Sequence, residues 1–204
     1  MMKHLLCGLV AASLLFSQSA FGQESKDPDF AQYNVNVGFS PFGGSVGFAY
    51  NQSSKTSWLF VLGGLPSGLA ELNLAIDGTD YTAASSASWV GFFVNHRPID
   101  KARWFRLVAG IGVGRILNEL DDGNGNRFTA NYTANPVGYL GIGFGSTATK
   151  GFTYGLDIGW LQTGGPNVLQ VEGAPDAKAV KAIGDDMFFG SALPNIQLNL
   201  GWGF

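Results

Sequence analysis

Apolar and polar residues alternate strictly along the last eleven residues of the chain, P-N-I-Q-L-N-L-G-W-G-F, which run from Pro194 to Phe204. The even-numbered positions from Ile196 to Phe204 are apolar or aromatic, and the odd-numbered positions from Asn195 to Gly203 are Asn, Gln or Gly. A period of two over about ten residues is that of a β-strand long enough to cross a bilayer at a tilt. The segment 195–204 is therefore predicted to be a membrane-spanning strand.

The same alternation recurs along the chain and predicts eight strands. The predicted strands cover 33–40, 45–50, 57–76, a segment that follows the turn at 77–80 and ends near 95, 104–116, 137–145, 151–161 and 195–204. The third strand is interrupted at 63–68, which we interpret as a bulge or bend and not as a further crossing. Segments 118–134 and 162–194 are predicted to be long loops, whereas the other connections are short turns.

Composition distinguishes a membrane barrel from a soluble one. Only 13% of the residues are charged, against about 25% in typical soluble chains, and the polar faces of the strands carry Gly, Ser, Asn and Thr. These residues would make a poor aqueous surface but an acceptable lumen. No segment after Gly22 approaches 18 continuous apolar residues, so a closed barrel is the remaining way to satisfy the backbone in lipid. The predicted fold is all-β: a membrane-spanning, antiparallel up-and-down β-barrel of eight strands with both termini in the periplasm.

The N-terminal segment has the features of a secretory signal. Residues 1–22 combine an early lysine, an apolar stretch and a small-x-small ending, so we predict cleavage before Gln23 and a single barrel domain at 23–204. The one cysteine, Cys7, lies in this segment, which leaves the mature domain without thiol or disulfide chemistry. A formal net charge of −3 and no long basic run argue against a nucleic-acid partner.

Three motifs carry a resemblance to a known family. They are F-R-L-x-x-G (Phe105 to Gly110), Y-L-G-I-G-F-G (Tyr139 to Gly145) and G-F-T-Y-G-L-D-I-G (Gly151 to Gly159), and the chain ends on Phe204. With these motifs the chain resembles the small eight-stranded outer-membrane barrels of Gram-negative bacteria, the OmpA-transmembrane-domain and OmpW-like group. The resemblance implies location in the cell outer membrane, Phe204 as an assembly signal, and a monomer. The implied partners are outer-membrane lipids, lipopolysaccharide and the barrel-assembly machinery.

The resemblance says little about activity, because such barrels include structural anchors, narrow pores, adhesins and lipid-modifying enzymes. Acyl-transfer catalysis would need a base beside a nucleophile, and the only histidine after residue 22, His96, falls in a predicted periplasmic turn. The acid pairs at 121–122 and 185–186 lack the spaced ligands of a calcium loop. We predict no catalytic residues, no metal and no cofactor.

Glycines recur at every second position of two predicted strands and share one face. They are Gly110, Gly112, Gly114, Gly141, Gly143 and Gly145. A phosphate-binding loop would need a glycine turn that leads into a helix, so these glycines are assigned to the barrel lumen. Three alternatives follow: the barrel flattens, bulky neighbours such as Trp89, Phe93 or Tyr139 fill the space, or a narrow cavity remains.

Two charged residues lie inside predicted strands. Arg106 has the parity of the glycines, and Asp157 lies between the outward-facing Leu156 and Ile158. Because an arginine that faces lipid at mid-membrane costs about 2–4 kcal/mol, both side chains are predicted to face inward and to join one polar network in the lumen. The sequence thus predicts a non-enzymatic barrel with a structural or surface role. The first alternative is a narrow passive channel for small or apolar solutes, and the second, less favoured, is a lipid-A-modifying enzyme.

Overall fold

The computed structural model describes residues 29–69, 71–133 and 136–204, and the predicted signal at 1–22 lies outside these ranges. The described residues form eleven strands, one α-helix (α1, Ala177–Asp185) and a short 3-10 turn (Asp100–Ala102). The strands are β1 (Tyr33–Ser40), β2 (Gly43–Asn51), β3 (Thr56–Leu65), β4 (Glu71–Ile76), β5 (Thr79–His96), β6 (Phe105–Asp121), β7 (Arg127–Thr133), β8 (Val137–Gly145), β9 (Gly151–Gln162), β10 (Asn167–Glu172) and β11 (Ala192–Gly203).

Eight of these strands close into an antiparallel ring, in the order β1, β2, β3, β5, β6, β8, β9, β11 and back to β1. The last residue completes the closure: the Phe204 amide donates to the Tyr33 carbonyl at 2.9 Å, and the Tyr33 amide donates to the Phe204 carbonyl at 3.0 Å. The ring leaves no strand edge unpaired at this seam, as lipid requires. The predicted eight-stranded up-and-down barrel is confirmed.

The outer surface of the ring is apolar. Leu140, Trp202, Val46 and Ile111 are each about half exposed or more, with Leu140 at 69%. Residues that alternate with them face the lumen, so the barrel has the inverted polarity of a membrane protein. Among the described residues, no helix has the length and apolar character needed to cross a membrane.

Three strands extend the ring at one end, which we call the loop end. The opposite end, which holds the short connections after β2, β5 and β8 together with the two ends of the described chain, is called the turn end. β4 pairs with β5, β7 pairs with β6, and β10 pairs with β7. β4, β5, β6, β7 and β10 thus form a wall that rises above the membrane on one side, whereas the β1–β2 hairpin on the other side ends in a tight turn at Pro41 and Phe42.

The interruption of the third predicted strand is confirmed, slightly further along the chain than expected. β3 and β4 lie end to end beside β5, with Leu65 opposite Ala87 and Glu71 opposite Ala84. The numbering between these two pairs advances by six residues on one side and by three on the other, so the ladder is interrupted by an irregularity of the bulge type. The turn into β5 is of type I′, because Asp77 (φ 49°) and Gly78 (φ 80°) both adopt positive φ.

The predicted long loops are wrong in large part. Segment 118–134 holds the end of β6 and all of β7, and segment 162–194 holds β10, α1 and the start of β11. β7 shows why: Phe128, Ala130 and Tyr132 are buried and alternate with more exposed residues. This is a strand pattern with the polarity of a soluble sheet.

An apolar core lies between the wall and α1, and we call wall and helix together the cap. Ile76, Tyr81, Leu120, Phe128 and Ile183 belong to this core, and Ile183 is fully buried. The helix begins at Asp176, whose carboxylate accepts hydrogen bonds from the amides of Lys178 and Ala179. The Tyr132 hydroxyl donates to the carbonyls of Phe189 and Gly190, which fixes the chain between α1 and β11 to the wall.

Candidate functional site

The lumen of the ring is the candidate site, and side chains occupy it at three levels. At the loop end Trp89 lies against β3 and β6, since a Cβ on Gly63 or Gly114 would overlap it. Its indole Nε1 donates to the Phe42 carbonyl at 3.3 Å, on the β1–β2 turn. This indole therefore links β5 to the β1–β2 turn, past the intervening strand β3.

The second level is aromatic. Phe93 faces Gly110 across the β5–β6 pair, and Gly110 faces Tyr139 across the β6–β8 pair. The rings of Phe93 and Tyr139 meet edge to face at 5.7 Å and 84°. Each ring lies over a glycine of a neighbouring strand, because a Cβ on Gly110 of β6 would overlap Phe93 and a Cβ on Gly159 of β9 would lie 2.7 Å from the Tyr139 hydroxyl.

The third level is a buried ion pair. Arg106 and Asp157 face each other across Gly143, which lies between them on β8. Arg106 Nη2 lies 2.7 Å and Nε 3.1 Å from Asp157 Oδ1, and the two residues are 7% and 9% exposed. The structure thus brings together the two charged residues that the sequence placed in one network.

Amides extend this ion pair across the lumen. Asn199 Nδ2 donates to Asp157 Oδ2 at 2.7 Å, and Gln197 Nε2 donates to Asn199 Oδ1 at 2.7 Å. Both carboxylate oxygens of Asp157 are therefore engaged. Hydrogen bonding at every acceptor of a buried carboxylate is what lowers the cost of removing it from water.

The six glycines of the stripe differ in what they face. Gly110, Gly114, Gly141 and Gly143 lie under the side chains of the three levels, and at Gly143 a Cβ would overlap both Arg106 and Asp157. Gly145 has a φ of +144°, so it serves the backbone at the end of β8. At Gly112 the nearest atom to an added Cβ is the Val90 carbonyl oxygen at 3.2 Å. No side chain of the three levels covers this glycine.

Two cavities remain in the lumen, and the first extends from Trp89 past Phe93 to Asp157. The one toward the loop end has a volume of about 100 Å³ and is lined mainly by apolar side chains, Trp89, Phe93 and Val61 among them. The one toward the turn end has a volume of about 90 Å³ and is lined mainly by amides, hydroxyls and Arg97 and Arg106. Leu59, Asn95 and Asp157 line both. The ion-pair level is thus the partition between an apolar and a polar chamber.

The turn end is closed by a residue that the sequence did not single out. Arg97 Nε donates to the Arg103 carbonyl at 3.1 Å and Nη2 to the Ser146 carbonyl at 3.0 Å, while its amide donates to the Lys55 carbonyl. One residue thereby joins three turns, through its side chain and its backbone amide. Its sequence context, a basic residue after a strand, is indistinguishable from that of a solvated turn residue.

The segment before β1 covers the same end. The Ala31 amide donates to the Ala148 carbonyl at 3.1 Å, its own carbonyl accepts from Asn51 Nδ2 at 2.7 Å, and Ala31 is 1% exposed. His96 is the last residue of β5, with Nδ1 3.1 Å from the Thr56 hydroxyl, so it ends a strand where the sequence predicted a turn. Among the described residues, no group of three His, Cys, Asp or Glu could hold a metal ion.

No protein-family model matches the chain, and no curated protein does so by sequence. Two solved structures from Acinetobacter baumannii match its fold. CarO has a TM-score of 0.61 at 14% identity, over 85% of this chain and 98% of CarO; CarO2 has a TM-score of 0.67 at 13% identity, over 86% of this chain and 99% of CarO2. The likeness confirms the predicted resemblance at the level of the fold, which is that of a small outer-membrane β-barrel.

Proposed function

We propose that the protein is a non-enzymatic barrel of the cell outer membrane with a structural or surface role, in which the ring anchors the cap outside the cell. The observation that carries the proposal is the occupied lumen: an indole, an aromatic pair and a hydrogen-bonded ion pair lie within it at successive levels. An eight-stranded ring is just wide enough for side chains to fill. The lumen side chains pack against one another and stabilise the ring, and an anchor requires a stable ring and no open path.

Solute flux tests the proposal. Liposomes that contain the purified protein are loaded with an impermeant dye, and swelling in small sugars, amino acids and short alcohols is compared with that of protein-free vesicles. We expect equal rates, because the ion pair and its amides separate the two cavities, which have volumes of about 100 Å³ and 90 Å³. Swelling above the protein-free rate for any of these solutes would contradict an anchoring role.

The location is tested through the last residue. Phe204 makes two backbone hydrogen bonds to β1, and its ring lies 6.2 Å from that of Tyr33. If Phe204 is also the assembly signal, its deletion should lower the amount of barrel in the outer membrane and raise periplasmic degradation while export continues. Phe204→Tyr, which keeps a terminal aromatic ring, is the matched control.

A second function, a narrow passive channel for small or apolar solutes, is favoured by one observation. The two chambers share Leu59, Asn95 and Asp157, so displacement of the single ion-pair level would join them. Catalysis on lipid A has no such support, because His96 lies at the turn end beside Thr56. The turn end would face the periplasm, away from the surface leaflet.

A further inference from the structure

Among the described residues, those that line the polar chamber at the turn end, which has a volume of about 90 Å³, carry one more positive than negative charge. The charged side chains that line it are Arg97, Arg106 and Asp157. Arg106 and Asp157 neutralise each other through two hydrogen bonds, and the second carboxylate oxygen is taken by Asn199. The charge of Arg97 is left over.

Arg97 is held by neutral groups alone. Its Nε and Nη2 donate to backbone carbonyls, and no carboxylate forms a salt bridge with it among the described residues. Burial and the nearby Arg106 lower the pKa of Arg97 to about 10, so the guanidinium is still charged at neutral pH. A buried charge without a counter-charge is costly, and a fold that keeps one normally supplies a partner.

Two buried donors in this chamber have no hydrogen-bond partner within the described part of the chain: Arg97 Nη1 and the Ser57 hydroxyl. The residues are 6% and 3% exposed. Because a guanidinium is planar and rigid, the two carbonyls that hold Nε and Nη2 also fix the direction of Nη1. The unpartnered Nη1 is therefore a positioned donor and not a mobile side-chain end.

From this arrangement we propose that the polar chamber binds one small monovalent anion, a halide or a small carboxylate, between Arg97 Nη1 and the Ser57 hydroxyl. Charge, donors and size agree. The leftover charge is a single unit, both free groups can donate, and a volume of about 90 Å³ suits an occupant of a few heavy atoms. The anion would complete the contacts that tie the three turns together at Arg97.

The test uses the protein purified from membranes in detergent micelles. Thermal unfolding is followed in sodium bromide, sodium formate and sodium gluconate at equal ionic strength, with gluconate, a much larger anion, as the reference. We expect a higher unfolding temperature in bromide or formate, with a difference that grows with the logarithm of anion concentration. Crystals grown with bromide should show an anomalous scattering peak beside Arg97 Nη1. The larger of the bromide and formate effects identifies which anion type the chamber prefers.

Two variants and a control localise the effect. Arg97→Gln should abolish the difference between the salts. Because that variant also loses turn contacts, Ser57→Ala provides a second measure: it keeps Arg97 and should weaken anion affinity about tenfold, as loss of one hydrogen bond to a charge does. Lys101→Gln removes an exposed charge of the same end and should leave the difference unchanged.

Three results would overturn the proposal. Equal unfolding temperatures in all three salts, together with no bromide peak beside Arg97, would mean that water alone satisfies Nη1. A salt difference that survives in both Arg97→Gln and Ser57→Ala would place the anion elsewhere. A bromide peak that appears only in a variant with Glu24→Gln and Asp27→Asn would make a carboxylate of this chain the natural occupant.

Discussion

The two halves of strand β6 have opposite polarity. Within the ring, the inward face holds Arg106 and the outward face holds Ile111, which is 54% exposed. In the cap, the inward face holds Leu120, which is 1% exposed, and the outward face holds the exposed Glu119. Inward-facing and outward-facing residues alternate along the whole strand. The apolar residues face outward in the ring and inward in the cap.

The comparison shows that each half is stabilised by the type of interaction for which its surroundings do not compete: hydrogen bonds in the ring and apolar contacts in the cap. Lipid competes with an apolar core but not with hydrogen bonds, so the ring gains specificity from a polar lumen. Water competes with hydrogen bonds but not with apolar contacts, so the cap gains stability from its buried core. The polarity of the two faces reverses near Gly114 and Arg115, where β7 replaces β8 as the partner of β6.

The largest expected effect is in the lumen. Asp157→Ala leaves Arg106 buried without its counter-charge and should lower the free energy of unfolding by about 3–5 kcal/mol. The double variant Arg106→Ala with Asp157→Ala should recover part of the loss. Denaturant unfolding in micelles measures both, and single effects that simply add would show that the two side chains are not energetically coupled.

The matching change in the cap is Ile183→Ala. Removal of this fully buried side chain should cost about 2–5 kcal/mol, but locally, because Ile183 packs within the cap alone. We expect faster proteolysis of segment 163–191 with unchanged unfolding of the ring, and Met187→Ala, at an exposed site on the same segment, as the unaffected control. Simultaneous loss of ring stability would show that the two halves form one cooperative unit.

A smaller effect is expected from the glycine stripe. Gly143→Ala places a Cβ against Arg106 and Asp157 and should cost about 1–3 kcal/mol through overpacking. Gly138→Ala on the outward face of the same strand meets no atom within 4 Å and serves as the control. Equal unfolding free energies for the two variants would mean that the third level leaves room beside Gly143.

The smallest effect concerns pH in the cap. The Asp122 carboxylate accepts from the side chain of Asn126 at 2.7 Å and from the amides of Asn124 and Asn126, and these bonds lower its pKa. A lowered pKa means that the turn is stabilised above the ordinary carboxyl pKa and loses that stabilisation as pH falls through the lowered value. Protection of the Asn126 amide from hydrogen exchange should fall over that range. Asp122→Asn should show low protection at every pH.

Sequence predicted the ring well because lipid imposes a strong pattern. An outward face that must be apolar, with a period of two, marks strands such as β1, β8 and β9 almost to the residue. Arg106 and Asp157 could be assigned to the lumen by the same rule, since neither can face lipid.

The cap could not be predicted in this way. β7 and β10 lie in water, where the outward face is polar and the inward face can hold Ala or Tyr, so the membrane pattern stops at Arg115 although the strand continues. The contacts that close the ends, Trp89 to Phe42 and Arg97 to three turns, join positions far apart in sequence. Their partners are mostly backbone carbonyls, which every residue carries, so the sequence holds no sign of them.

Ionic conductance tests the occupied lumen most directly. A single copy of the protein in a planar bilayer should give no steps above the baseline at neutral pH, because the Arg106–Asp157 pair with Asn199 and Gln197 lies between the two cavities of the lumen. The variants Trp89→Ala and Phe93→Ala should also stay closed, since the ion-pair level remains. Regular conductance steps from the wild-type protein would contradict the account.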